Sequence, residues 1–328
     1  MTGLRKEAGF TLLELLIAVT VMVIVTSQLF MVFSSQKRTF SASQRTLDVQ
    51  EDARLVLDLV AFDARQAGFM VPRIAGVSSE DGGADDPDRL CVSDPSYFDY
   101  PPPAGPGSVL DNRGEHYTTT GVTALGVNSV TVTTLDIDGS FAFDGSDAND
   151  FGVPGVGVIV ADGQKSLCAR LESINGNVLT LDRDLPGLTQ AAVRVAPAVI
   201  YEVDGTDTLT RNGMTLATSV EDLQVEYWVD NQIRNGQIDG APTGDAATEF
   251  PIHDLNANPG WTVDPSRIRR FRVSVLTRTD MREVNADGTE KIMGTSGRPA
   301  LANRAADAVP DGFQRRRFVS SVMPKNLM

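Results

Sequence analysis

The sequence predicts an α+β protein. One long N-terminal helix, with a membrane half and an amphipathic half, packs on a largely antiparallel β-sheet domain with long loops. Three observations lead there. Residues 10–66 contain neither proline nor glycine, the two strongest helix breakers. That stretch opens apolar and becomes periodic. From residue 127 onward, short β-branched runs alternate with turn signals such as Asp162-Gly163, Asn175-Gly176 and Asn212-Gly213. A single helix followed by strands joined through tight turns implies a helix laid on an antiparallel sheet.

The first element begins in residues 5–33, RKEAGFTLLELLIAVTVMVIVTSQLFMVF. A short basic head precedes a Gly9-Phe10 junction, and an apolar run then extends from Leu12 to Phe33. About 22 residues at about 1.5 Å each span a bilayer core of about 30 Å. The run contains one acid, Glu14. A carboxylate at the centre of a membrane helix costs about 2.5–3.5 kcal/mol, and such acids usually have a partner. A cut between Gly9 and Phe10 creates an α-amine about one helical turn before Glu14. An ordinary secretory signal needs a small-residue cleavage site after its apolar stretch, whereas this run passes straight into a polar helical pattern. A plain single-pass anchor explains neither Gly9-Phe10 nor Glu14. Arg5 and Lys6 on one side and Lys37 and Arg38 on the other leave orientation open.

The second half of the helix carries Leu55, Leu59 and Phe62 at i, i+4, i+7, with Val56 and Val60 beside them. That spacing predicts one apolar face, with Asp52, Asp58, Asp63 and Arg65 opposite. Gly68 supplies a stop. Heptads are not sustained, so docking on a sheet is expected rather than a coiled-coil stem.

Residues 71–115 have loop composition: EDGGADDPD, then DPSYFDYPPPAGPGS. Neither this acidic stretch nor residues 136–150 has the ordered spacing of a calcium loop, so solvated loops are expected and no metal is assigned. Strands are expected at residues 127–135, 156–161, 167–171, 177–181, 192–203, 208–211, 214–217, 220–229, 268–277 and 313–323.

The formal charge is −14 over 328 residues. The first forty residues hold four bases and two acids, which leaves −16 on the rest. So acidic a body argues against nucleic acid as a partner. Cys91 and Cys168 are the only cysteines. In an oxidising compartment a lone pair favours a disulfide, the alternative being two small buried hydrophobes. Signatures of catalysis are missing. Residues 152–157, GVPGVG, precede a strand, whereas a phosphate loop follows one. Residues 294–297 lack G-x-S-x-G spacing. His116 and His253 lie in loop composition, and Glu221 and Asp222 sit at or near a strand entry. No enzyme and no cofactor are expected.

Gly9-Phe10-Thr11-Leu12-Leu13-Glu14-Leu15 resembles the signal of type IV prepilins and type II secretion pseudopilins. The resemblance implies that a prepilin peptidase cuts after Gly9 and that Phe10 is then N-methylated. It also implies that Glu14 is the subunit-assembly residue. The chain would divide into a leader (1–9), a helix (10–67, with 10–33 as the membrane and assembly half and 34–67 amphipathic) and an extracytoplasmic head (68–328) of type IV pilin-like fold. Later residues narrow the likeness. Tyr201-Glu202-Val203-Asp204, residues 209–213 (LTRNG) and 220–227 (VEDLQVEY) resemble the PilW family of minor pilins. So do residues 268–274 (IRRFRVS), Arg315-Arg316-Arg317-Phe318-Val319 and Lys325-Asn326. Similarity is weak over 75–200, and Gly68-Phe69-Met70-Val71 stands where family members often carry a cysteine. The family's disulfide pattern therefore does not transfer.

What this resemblance implies is structural work. Such a pilin sits in the inner membrane with its head in the periplasm, then moves to the pilus tip. It would join other minor pilins in a priming complex, contact the major pilin and the inner-membrane assembly platform, and in some systems present a tip adhesin. The alternatives are a J-type minor pseudopilin of type II secretion and a membrane-anchored ligand-binding module.

Overall fold

The computed structural model describes residues 11–68, 75–83, 86–94, 122–132, 154–162, 165–175, 178–189, 193–229, 268–279, 297–307, 309, 311, 313–324 and 326. A single helix, α1, runs Leu12–Gln66, ending just before Gly68 in the left-handed region (φ 77°). The chain forms two compact units, Met1–Asp48 and Val49–Met328. The division falls inside α1, whose last turns are built into the β-rich unit.

In that unit thirteen strands are described. They are β1 (Val77–Glu80), β2 (Arg89–Ser93), β3 (Val122–Leu125), β4 (Ser129–Val132), β5 (Gly157–Ala161), β6 (Ser166–Asn175) and β7 (Val178–Leu181). Then follow β8 (Arg194–Val203), β9 (Leu209–Arg211), β10 (Met214–Ala217), β11 (Val220–Val229), β12 (Ile268–Arg278) and β13 (Arg315–Val322). Every pairing is antiparallel, as expected, and the described strands form two sheets. Ten strands run β1-β2-β8-β5-β6-β7-β4-β3, with β9 on β8 and β10 on β9. Three more run β11-β12-β13. β1 and β2 lie in the stretch read from sequence as loop. They are short, and the Gly, Pro and Asp residues between them mask their alternation.

The ten-stranded sheet curls on itself. β2 and β6 are separated by β8 and β5, yet Cys91 and Cys168 are bonded across it, with Cα atoms 5.4 Å apart. Ser78 Oγ on β1 also donates to the Ser166 carbonyl on β6 at 2.8 Å. β8 is buried on both faces. Ala196, Ala198 and Ile200 belong to the interior of the curl, while Val199 and Tyr201 belong to a second core under the helix. β5 and β9 share one edge of β8 end to end. At their seam a Cβ on Gly157 would stand 2.8 Å from the Ile200 nitrogen, so only glycine fits. Asn212 Oδ1 accepts from the Gly157 and Ile200 amides there.

The second core joins α1, β8 and the three-stranded sheet through Val56, Val60, Ala64, Tyr201, Tyr227 and Phe271. The helix docks on the sheets as expected, with Val56 and Val60 of the expected face buried, but the face is turned away from Leu55 and Phe62. Leu55 and Phe62 are 62% and 58% exposed. The buried line is Val49, Ala53, Val56, Val60, Ala64, Ala67, and Asp63 is buried beside it. Small side chains let the helix approach closely; Leu57 is buried with them, while Leu55 and Phe62 point away. Fully burying a valine or leucine here contributes about 1.5–3 kcal/mol, an upper figure since the unfolded chain already hides some surface.

Asp88 stitches the two sheets together. Its amide donates to the Leu223 carbonyl at 2.8 Å, and its Oδ2 accepts from the Val225 amide at 2.7 Å. The free edge of β11 is closed in this way. Burial pushes the Asp88 carboxyl up to about 8, against the pull of the Val225 and Gly82 amides. Between about pH 4 and 8 the folded chain therefore holds a proton that the unfolded chain has lost. This contribution to stability is full below about pH 4 and is lost as pH rises through 8. We predict that Asp88→Asn abolishes this part of the decline. It should also cost about 1–2 kcal/mol at pH 5, because an amide oxygen cannot serve both donors equally. Urea titrations at pH 5 and 8 give the comparison, and parallel declines in both proteins would refute the assignment.

Candidate functional site

The candidate site is the N-terminal part of α1. Gly9 and Phe10 lie outside the described residues. Glu14 is in the first helical turn, facing back to Thr11. The Thr11 amide and hydroxyl both donate to Glu14 Oε2, at 2.9 and 3.0 Å, and the Glu14 amide donates to Thr11 Oγ1 at 3.3 Å. This is a reciprocal capping box, in which two amides without partners inside the helix are satisfied by two side chains. Among the described residues Glu14 Oε1 accepts no hydrogen bond. The helix therefore begins with a carboxylate that is half used.

Behind it, side chains from Leu12 to Phe33 are exposed within the chain, Phe33 included. Two polar residues in the run are satisfied by the helix itself. The Thr20 hydroxyl donates to the Leu16 carbonyl and the Ser27 hydroxyl to the Ile24 carbonyl, each at 2.8 Å. Among the described residues α1 is the helix long and apolar enough to cross a membrane. Its composition is consistent with membrane anchoring.

In the β-rich unit, a buried polar cluster fixes the helix on the sheet. Tyr201 on β8 and Arg211 on β9 are directly paired, so both side chains face α1. The Tyr201 hydroxyl donates to Asp63 Oδ2 at 2.5 Å, and Arg211 Nε donates to the same oxygen at 3.0 Å. Asp94 lies 4.0 Å beyond Arg211. Burial and the Asp63 charge hold the Tyr201 phenol well above its ordinary range, so it remains a donor. The sequence reading placed Asp63 on the solvated face. The available signal was its position one residue before Ala64 on the small-residue line.

Acids singled out from sequence are structural. Glu221 takes a two-pronged pair from Arg315, and Asp222 is buried between Arg298 and Arg304. His116 and His253 lie outside the described residues.

A sequence profile of the prokaryotic N-terminal methylation motif matches residues 4–27. Among solved structures, a type IV-like pilin from Thermus thermophilus is similar at 13% identity and a TM-score of 0.22. That match covers 55% of this chain and 92% of the other. No curated protein matches.

We predict that Asp63→Ala, which leaves Tyr201 and Arg211 without their shared acceptor, destabilises the β-rich unit by about 2–4 kcal/mol. Tyr201→Phe should cost about 1 kcal/mol. Denaturant unfolding measures both, and an Asp63→Ala protein as stable as the parent would contradict the role given to the cluster.

Proposed function

We propose that this chain is a minor type IV pilin of the PilW kind, processed by a prepilin peptidase and used to start pilus assembly within a tip priming complex. The observation that carries the reading is Glu14, held in a capping box at the head of an exposed apolar helix, within a stretch that matches the methylation motif. The role is structural rather than catalytic.

The physics runs from the helix outward. An apolar segment leaves lipid only for another apolar environment, and packed helices of other subunits supply one. The Glu14 carboxylate resists that transfer unless it gains a counter-charge. Its open Oε1 can take one from the α-amine that cleavage after Gly9 creates on a neighbouring subunit. Methylation at Phe10 leaves that amine basic. Partners on this reading are the peptidase, other minor pilins, the major pilin and the inner-membrane platform. A tip adhesin would be the cargo. The head lies in the periplasm before assembly and at the pilus tip after it.

The mass of the N-terminus in protein from native membranes tests processing. We expect a methylated Phe10, and an intact Met1 in cells that contain the peptidase would remove the basis for the proposal. Gly9→Ala should leave mostly uncleaved protein in the same assay. Glu14→Ala should be cleaved normally yet fail to enter fibres, giving at least tenfold fewer pili. Normal piliation from cells holding only that variant would sink the assembly role. Restored secretion instead of piliation would assign the chain to a type II machine.

A further inference from the structure

The three-stranded sheet has two outer edges, and they are treated differently. Asp88 closes β11. Among the described residues nothing pairs with the outer edge of β13. This strand is eight residues long, matches β12 over its whole length without a bulge, and contains no proline. The edge strands β1, β3 and β10 of the larger sheet have four residues each, and β3 and β10 also have an irregular register. Bulges and short length are ordinary defences against unwanted strand pairing, and β13 has neither.

Its side chains carry a specific charge pattern. Arg315 is paired with Glu221 and Asp311, Arg272 with Glu226, and Arg278 with Asp207. Arg316 and Arg317 are exposed and have no ion pair among the described residues. They are adjacent on a strand, so one guanidinium lies on each face of the sheet edge. Beside them Val319 is 45% exposed. Among the described residues, then, two cations without an ion pair stand on an edge without a paired strand, in a chain of formal charge −14. Arginines on an edge also serve as simple protection, and here they would repel a second β13 laid against the first. That repulsion rejects a copy of the same strand and favours a strand of opposite charge.

We propose that the outer edge of β13 is a strand-addition site that takes an extended, acidic segment of another protein. Main-chain hydrogen bonds to the edge supply the affinity, and carboxylates opposite Arg316 and Arg317 supply the selection. The site does not depend on how the N-terminus is processed.

The test uses the full chain in detergent micelles and a ten-residue peptide with two adjacent glutamates flanked by threonine and valine. The control peptide carries lysines in place of the glutamates. Hydrogen exchange is followed residue by residue. The expected result is at least tenfold slower exchange at alternate β13 amides with the acidic peptide alone. Arg316→Glu with Arg317→Glu should weaken binding at least tenfold, and the milder Arg317→Gln should weaken it less while leaving the fold unchanged. No protection, equal protection by both peptides, or protection that grows with protein concentration in the absence of peptide would each overturn the proposal. The last outcome would mean that a second copy occupies the edge.

Discussion

Asp63 decides how the helix sits. Its carboxylate lies over a cross-strand pair, Tyr201 and Arg211, and accepts from both. A buried charge of this kind is tolerable only when its donors are in place, so other rotations of α1 strand either the acid or the arginine. Apolar packing alone would not be so selective, since Val56, Val60 and Ala64 tolerate a range of small shifts. The cluster thereby fixes which residues remain outside. Leu55 and Phe62 are left exposed because Asp63 faces the sheet. On the proposed function they are contact area for other subunits.

Much of this was legible in the sequence, and the failures have physical causes. The span from Leu12 to Phe33 and the carboxylate of Glu14 stand out because lipid imposes extreme demands on composition. Strands β4 to β13 stand out because β-branched alternation and turn dipeptides coincide. The docking face of α1 includes Val56 and Val60 as expected but not Leu55 and Phe62, because bulk alone is not a sign of burial. In this helix the buried line is Val49, Ala53, Val56, Val60, Ala64, Ala67, whose period is as clear as that of Leu55, Leu59 and Phe62. Alanine signals closeness of approach, not exposure. β1, β2 and β3 escape the sequence reading because short strands carry little periodicity. The Asp63 cluster joins residues more than 130 positions apart, which no local pattern reveals. At the helix start, Thr11 and Glu14 do form a local pattern, and the capping box could have been read from the spacing alone.

The two sheets illustrate how edges are managed. One strand, β8, carries three neighbours by sharing an edge between β5 and β9, and Gly157 makes the seam close enough for Asn212 to bridge it. On β11 the Leu223 carbonyl and the Val225 amide are met by the amide and carboxyl of one residue, Asp88, rather than by a strand. Each solution satisfies backbone groups at a place where a regular ladder ends.

The Cys91–Cys168 bridge ties β2 to β6 across 77 residues of sequence. Loop-closure entropy grows slowly, by about 0.6 kcal/mol for each doubling of loop length. With its two ends held at β2 and β6, the part of the enclosed segment with loop composition, residues 95–115, can change length at little cost to closure, whereas β5 in the same segment is bound by its place between β8 and β6 and by the close fit at Gly157. Homologues are then expected to keep the two cysteines, the helix and β5 while residues 95–115 drift, which makes that stretch the region where one scaffold can acquire different surfaces.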